Sequence, residues 1–406
     1  MKNILISSFD MEVGGVERSL VNLLENFNYY QNDLDLFLYK HSGDFLSYIP
    51  KQVCLLPEVP EYTTFRKSIN EIIKERYFRI SRTRIKSKIN AEIKGKLGKI
   101  SEPGYLQMQL MWKYSLPYLP RMHKVYDVAI SYLWPHYFVA EKVKANVKVA
   151  WIHTDFSSVE TDERLDLYMW NKFNHIIAVS EECKNAFTKK YPSLLGKVTV
   201  MENIQSPSFI RSQAKETSDL SMANDSRFKI ITVARLSHAK GIDLACEAMK
   251  VLIEDYHMDI AWYIVGYGGD EPQIKALIKK HHLEKNIILL GKKINPYPYM
   301  KAADIYVQPS RYEGKAVTVG EAQILSKPVL ITNYPTAKSQ VIHGINGYIC
   351  KLSGIGIAEG ISVLVENETL RKKLSRNCFQ QDFSNTSELE KLYNFINGGE
   401  VNEAKN

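Results

Sequence analysis

Two rhythms of apolar residues alternate along this chain. Short runs rich in Val, Ile, Leu and Ala, of the kind that form strands buried on both faces, occur at 3–8, 34–39, 127–133, 147–152, 176–180 and 198–201. Between the first two, Leu20, Leu23, Leu24 and Phe27 recur at helical spacing over 16–26, after a loop that holds Gly14 and Gly15. A second series of strand-like runs lies at 228–234, 260–265, 286–290, 304–308 and 328–332. Helical periodicity fills its gaps at 242–254, 272–282, 296–302 and 317–325, and residues 357–396 read as helices. Repeated strand–helix–strand units predict parallel sheets. Two such series predict an α/β protein of two Rossmann-like domains, a plan that places ligands beyond the carboxyl ends of its strands.

A chain of 406 residues is long enough for two such domains. The polar stretch 206–226 is the best linker candidate. The expected division is therefore a first domain at 1–205, a linker at 206–226 and a second domain at 227–380. A C-terminal helix and tail at 381–406 would be free to pack back on the first domain. Residues 60–125 break the alternation and read as an insertion in the first domain.

Charge changes the picture only in that insertion. Twelve Lys or Arg stand against three Glu between Arg66 and Ile100, so one segment carries the formal net charge of +8 and the rest is near neutral. Ile69, Ile72, Ile73, Tyr77 and Ile80 recur at helical spacing there, and so do Ile85, Ile89, Ile93, Leu97 and Ile100. One reading is a basic amphipathic element, residues 66–100, lying on an anionic membrane surface. The other is a pair of helices packed on their own domain with a solvated basic face. No nucleic-acid motif accompanies the charge, so a nucleic-acid partner is not expected.

No apolar run approaches the ~18 residues of a membrane span, and 1–6 reads as a strand instead of a leader. Five widely spaced cysteines (Cys54, Cys183, Cys246, Cys350, Cys378) without a CxxC pair fit a reducing compartment. The expected location is cytoplasmic, peripheral on the inner face of the membrane if the basic element binds lipid.

Candidate chemistry gathers at strand ends of the second series. Arg235 and Lys240-Gly241 occupy a strand-to-helix loop, where two cations beside a helix start make an anion site or simply a solvated surface. Gly266 and Gly268 follow the next strand and either let backbone approach a ligand or merely form a turn. Glu313 lies in the loop after 304–308, and Glu321 lies in the helix that follows. Both could face one ligand, with the amides of Lys315, Ala316 and Val317 as a phosphate cradle. In the first series, His153 ends the strand 147–152 and is either a packed residue or a site residue. Asp33-Leu34-Asp35 has the form of a metal-binding DxD but opens a strand, and with two cations at hand no metal or other cofactor is expected.

The order Arg235-Leu236-Ser237-His238-Ala239-Lys240-Gly241, then Gly266-Tyr267-Gly268, then Glu313-Gly314-Lys315-Ala316-Val317-Thr318-Val319-Gly320-Glu321 resembles the retaining glycosyltransferases of the GT-B fold, family 4. Gly14-Gly15-Val16-Glu17 and Trp151-Ile152-His153-Thr154-Asp155 support it more weakly, and it fails over 40–125. The resemblance implies two Rossmann-like domains facing each other across a cleft, and transfer of a sugar with retention from a nucleotide diphosphate donor, UDP by family frequency. The acceptor would be lipid-linked or a polymeric glycan of a bacterial surface polysaccharide.

By position, the resemblance implies that Arg235 and Lys240 hold the pyrophosphate, that Glu313 contacts the donor sugar and that Glu321 contacts the ribose. Gly15 would admit the donor to backbone amides, and His153 would stand at the reaction centre. Lys315 departs from the bulky apolar residue usual there. The competing functions are a nucleotide-sugar epimerase or a phosphorylase of the same plan, and a non-catalytic glycan- or membrane-binding protein. A phosphorylase would need a pyridoxal-binding lysine and a much longer chain. Loss of catalysis fits poorly with Arg235, Lys240, Glu313, Glu321 and His153 all being present.

Overall fold

The computed structural model describes residues 1–98, 103–154, 156–157, 159–216, 221–313 and 315–398. Ile100, Asp155, Gly314, residues 217–220 of the expected linker and 399–406 of the expected tail lie outside the described residues. The chain divides into two units, one of residues 1–204 with 386–406, the other of residues 205–385.

Among the described residues, the first unit holds a seven-stranded parallel sheet: β1 (Lys2–Ser8), β2 (Asn32–Leu38), β3 (Cys54–Leu55), β4 (Val125–Ser131), β5 (Lys144–Ile152), β6 (His175–Ala178) and β7 (Val198–Val200), in the order β3-β2-β1-β4-β5-β6-β7. The switch in strand order falls between β1 and β4, where Ile4 pairs with Val128 and Ile6 with Ile130. The runs Ile4–Ile6 and Val149–Ile152 are wholly buried, as strands covered by helices on both faces must be. The two-residue β3 carries no periodicity that a sequence could show.

The insertion leaves the sheet after β3. It forms the helices Pro60–Thr63, Ile69–Lys74, Phe78–Gly98 and Gly104–Ser115. Aromatic packing anchors it to the domain. Trp112 stacks on Phe65 at 4.2 Å, and Tyr62 meets Phe37 and Phe138 edge-on at 5.5 and 5.0 Å. Asp33-Leu34-Asp35 lies on β2, where Asp35 is buried and receives Lys124 and the Tyr126 hydroxyl, each at 2.8 Å.

The second unit holds, among its described residues, a six-stranded parallel sheet of β8 (Phe228–Val233), β9 (Ile260–Val265), β10 (Ile287–Gly291), β11 (Ile305–Gln308), β12 (Val329–Thr332) and β13 (Tyr348–Cys350). The order is β10-β9-β8-β11-β12-β13, so the switch lies between β8 and β11. Helices Ile242–Glu254 and Gly354–Glu366 cover one face of this sheet, and Val317–Ile324 covers the other.

Two boundaries differ from the sequence expectation. The described part of 206–226 is not a linker: Ser206 caps a helix, Pro207–Gln213, whose Ile210 is buried with Ala214 and Met222 in the core of the second unit. One buried residue per turn is too faint a signal to see in a short polar helix. The second unit also runs to residue 385, past the expected end at 380. The helix Leu389–Asn397 then belongs to the first unit. It buries Leu389, Leu392, Phe395 and Ile396, stacks Phe395 on His175 at 4.1 Å and donates the Lys391 Nζ to the Val200 carbonyl at 2.9 Å.

Candidate active site

The carboxyl ends of β8 and β11 adjoin, so the loops that leave them share one edge of the second unit. Lys240 and Glu313 meet there. The Lys240 Nζ donates to Glu313 Oε1 and Oε2 at 2.7 and 2.6 Å. The carboxylate is almost wholly buried and the ammonium is partly open to solvent. Glu313 Oε1 also accepts from the Ser310 Oγ at 2.7 Å and the Gln308 Nε2 at 3.2 Å, and the Thr336 hydroxyl holds the Glu313 carbonyl at 2.8 Å. A buried carboxylate needs such partners, since its hydration is lost.

The network continues into the sheet. Gln308 Oε1 accepts from the Tyr306 hydroxyl and from the Thr318 hydroxyl, and the two hydroxyls lie 2.8 Å apart. Burial pushes the Tyr306 phenol well above its ordinary range, against the Thr318 hydrogen bond and with smaller help from the charges of Glu313 and Glu321, so it stays protonated. Both carboxylates thus act on one phenol. Glu321 lies in Val317–Ile324, is wholly buried, and accepts the Tyr297 hydroxyl at 2.9 Å.

Close contacts lock the loops in place. Gly241 is left-handed (φ +64°), and a Cβ there would lie 2.0 Å from the Pro309 carbonyl oxygen. Arg311 grips Asp243 through both terminal nitrogens at 2.7 and 2.5 Å. Burial opposes the Asp243 charge, and Arg311 outweighs it, holding the carboxyl below its usual range. Gly266 and Gly268 are needed for packing: a Cβ on either would fall 1.8 Å from the Ala234 oxygen or 2.2 Å from the Leu236 oxygen. The two loops are laced together, Leu236 N–H to Tyr267 carbonyl at 3.0 Å and Asp270 N–H to Leu236 carbonyl at 3.1 Å. Their missing side chains therefore admit neighbouring backbone, a use that the ligand reading of these glycines did not foresee. Arg235, held by this lacing, is exposed and has no ion-pair partner among the described residues.

The phosphate cradle differs from the expectation in one respect. The Ala316 N–H already donates to the Gln340 Oε1 at 3.0 Å, and Gln340 Nε2 returns to the Ala316 carbonyl at 3.1 Å, so that amide is satisfied by the protein. Val317 starts the helix, and Lys315 is half-buried beside it. Lys240 and Glu313 are likewise already engaged with each other. Gln308, Ser310, Thr336, Gln340 and the Arg311–Asp243 clamp are residues that sequence reasoning did not single out. Only their place at the ends of β8, β11 and β12 could have marked them.

In the first unit, Gly15 opens the helix Gly15–Glu25, and a Cβ on it would meet nothing within 4 Å. No packing inside the unit requires a glycine there. His153 follows β5 and is half-buried, its ring parallel to Trp151 (7°, 6.1 Å) and 4.6 Å from Tyr132. Its Nε2 is shut off from solvent and has no hydrogen-bond partner among the described residues. Burial pushes its pKa down to about 3, only partly offset by a hydrogen bond with the Tyr132 backbone. His136, which no spacing marks, is wholly buried against Trp170, with Nδ1 2.8 Å from the Ser131 Oγ. Burial, then the nearby His153, lowers it to about 3 as well.

Both imidazoles are neutral in the fold, whereas in the unfolded chain they take up protons below about pH 6.5. Their contribution is therefore complete above that value, is lost as pH falls, and levels off near 3. Each can remove at most about 1.4 kcal/mol per pH unit. Urea midpoints followed by Trp fluorescence should fall between about pH 6.5 and 5, a window in which few carboxylates titrate. A midpoint that stays constant there contradicts this.

Residues 215–381 match the model of the glycosyl transferases group 1 family. The chain is 28% identical over 170 residues to the poly(ribitol-phosphate) α-N-acetylglucosaminyltransferase of Staphylococcus aureus, covering 41% of this chain and 34% of that protein. It is 26% identical over 232 residues to the capsular polysaccharide biosynthesis glycosyltransferase CapM of Staphylococcus aureus, covering 54% and 61%. This chain thus spans less than two thirds of the length of either relative. Over 98% of its length it superposes on all of the Anabaena protein HepE, solved in complex with UDP-glucose, at a TM-score of 0.66 and 18% identity. Residues 215–381, which carry Lys240, Glu313 and Glu321, are accordingly a glycosyl transferases group 1 domain, in a chain with the GT-B glycosyltransferase fold.

Proposed function

We propose that this protein is a retaining glycosyltransferase that moves a sugar from a UDP-sugar to a lipid-linked or polymeric glycan acceptor in bacterial surface polysaccharide synthesis, without a metal. The observation that carries the reading is the Lys240–Glu313 pair at the adjoining ends of β8 and β11, with Arg235 exposed nearby. A parallel sheet binds ligands at such a switch point. The relatives' stated substrates and pathways support the choice of donor and setting.

In this reading Arg235 and Lys240 take the donor diphosphate, supplying the positive charge that a metal gives elsewhere. The glycosidic bond to phosphate breaks through an oxocarbenium-like state, and charge grows on the departing phosphate. Those two cations stabilise it. Glu313 orients the sugar hydroxyls, and Glu321 the ribose. Gly266 and Gly268 hold the Arg235 loop in place, Lys315 and the Val317 amide lie where the phosphates arrive, and Ala316 shapes the turn. Gly15 and the neutral His153 are the first unit's own candidate residues. The acceptor attacks the face from which the phosphate leaves, and a phosphate oxygen takes its proton.

Isothermal titration with UDP and assay of UDP released from UDP-glucose and UDP-N-acetylglucosamine test the proposal. Micromolar to millimolar UDP affinity is expected, with release accelerated by acceptor. A folded protein that binds no nucleoside diphosphate and releases none overturns it.

A further inference from the structure

The long helix Phe78–Gly98 is folded inside out. Its inward side is Ile80 followed by small or hydroxyl residues: Thr83 bonds the Ser115 Oγ at 2.8 Å, and Ser87 and Ala91 are wholly buried. Gly95 comes so close to the next helix that a Cβ on it would touch the Pro103 side chain at 3.4 Å. Small residues let the backbone of this helix press against Gly104–Ser115. The large apolar residues point the other way. Phe78, Ile85, Ile89 and Ile93 are 61, 43, 51 and 51% exposed. At 100° per residue they make a single stripe about 22 Å long. A helix whose only purpose was to pack on its own domain would carry these isoleucines on the other side.

The stripe is flanked by cations. Lys86 and Lys88 are exposed on its two sides, and Arg82 and Lys96 are exposed in line with it. The helix as a whole has seven Lys or Arg against Glu92 alone. Two copies pressed together through this stripe would bring two strongly positive surfaces into contact, so a second copy is a poor occupant. An apolar row between cations fits a surface that is oily beneath and negative on top. Isoleucine enters the acyl boundary, and lysine and arginine stems reach back to phosphate. Among the described residues no helix is long and apolar enough to cross a membrane. The contact would therefore be with one leaflet only.

We propose that Phe78–Lys96 is a membrane-docking face that lies in the interface of an anionic bilayer, with Phe78, Ile85, Ile89 and Ile93 inserted and Arg82, Lys86, Lys88 and Lys96 on lipid phosphates. This rests on the surface alone and is independent of the sugar-transfer reading.

The test is sedimentation of the full chain with vesicles of phosphatidylcholine, and with vesicles of equal parts phosphatidylcholine and phosphatidylglycerol. Strong pelleting only with the anionic vesicles, weakened by salt, is expected. Ile89→Ser with Ile93→Ser should weaken it by about tenfold or more, and Lys86→Gln with Lys88→Gln should remove the anionic preference. All four positions are exposed, so both variants should keep the wild-type melting temperature and UDP affinity. Equal pelleting with both vesicles, or an isoleucine pair variant that pellets like wild type, overturns the proposal. So does a wild-type dimer in analytical ultracentrifugation that the isoleucine pair variant dissociates, since the stripe would then belong to a second copy.

Discussion

Lys240→Ala should lower turnover of a UDP-sugar by about 10²-fold or more in a protein that remains folded. The charge that develops on a departing diphosphate is the largest electrostatic change in the proposed reaction, and removing one preorganised group of this kind typically costs about 3–4 kcal/mol. Lys240 is preorganised to an unusual degree. Glu313 holds it from two oxygens, Ser310 and Gln308 hold Glu313, and Gly241 fixes the turn. The variant carries a stability effect that must be separated from catalysis. Without Lys240 the buried Glu313 loses its countercharge and costs roughly 1–3 kcal/mol. Adding Glu313→Gln removes the stranded charge, so the double variant should recover much of the lost melting temperature and none of the turnover. Steady-state release of UDP and a thermal melt on both variants decide the point. Turnover at the wild-type level in folded Lys240→Ala would exclude Lys240 from phosphate stabilisation.

Leu392→Ala combined with Phe395→Ala should unfold the first unit and leave the second standing. Both side chains are essentially without solvent contact, and Phe395 stacks on His175 at the start of β6. Each truncation costs roughly 2–5 kcal/mol through lost burial and the cavity left behind. Together they approach or exceed the roughly 5–15 kcal/mol that holds a domain folded. Tyr393, whose hydroxyl accepts the Asn28 N–H at 2.7 Å, and Lys391 on the Val200 carbonyl then lose the helix that positions them. Calorimetry should show the first unit's transition shifted far down or lost, and a second transition that still rises with UDP. A single unshifted transition would mean that the helix is an ornament on an already stable unit.

The sequence carried most of the architecture because buried parallel strands are near-continuous apolar runs, and 3–8, 147–152, 228–234 and 260–265 are legible as such. Three parts were not. β3 is two residues long. The helix Pro207–Gln213 shows the core little more than Ile210. The inward side of Phe78–Gly98 is made of Thr83, Ser87, Ala91 and Gly95, which no hydrophobic pattern marks as buried. Within the site, charge and glycine at strand ends pointed to Arg235, Lys240, Glu313 and Glu321. What could not be read was how they are used before a ligand arrives. Lys240 and Glu313 form a pair, Ala316 is capped by Gln340, and Gly266 and Gly268 make room for the Arg235 loop. Spacing identifies which residues reach one edge of a sheet. It does not say which of them touch.

The helix Leu389–Asn397 also imposes an order on synthesis. The groove it fills is made from β6, β7 and the turn at Phe27 and Asn28, all of which leave the ribosome before the second unit. The helix itself follows residues 205–385. At roughly 5–20 residues per second that interval lasts on the order of 10–40 s. During it the nascent front unit carries an open apolar seam where Leu392 and Phe395 will later sit, while the rear unit is already complete enough to collapse on its own core. The helix that closes the first unit is made only after the whole of the second. A trigger-type chaperone, or simply slow assembly of the front half after release, is the expected companion of a domain whose final piece is encoded on the far side of another.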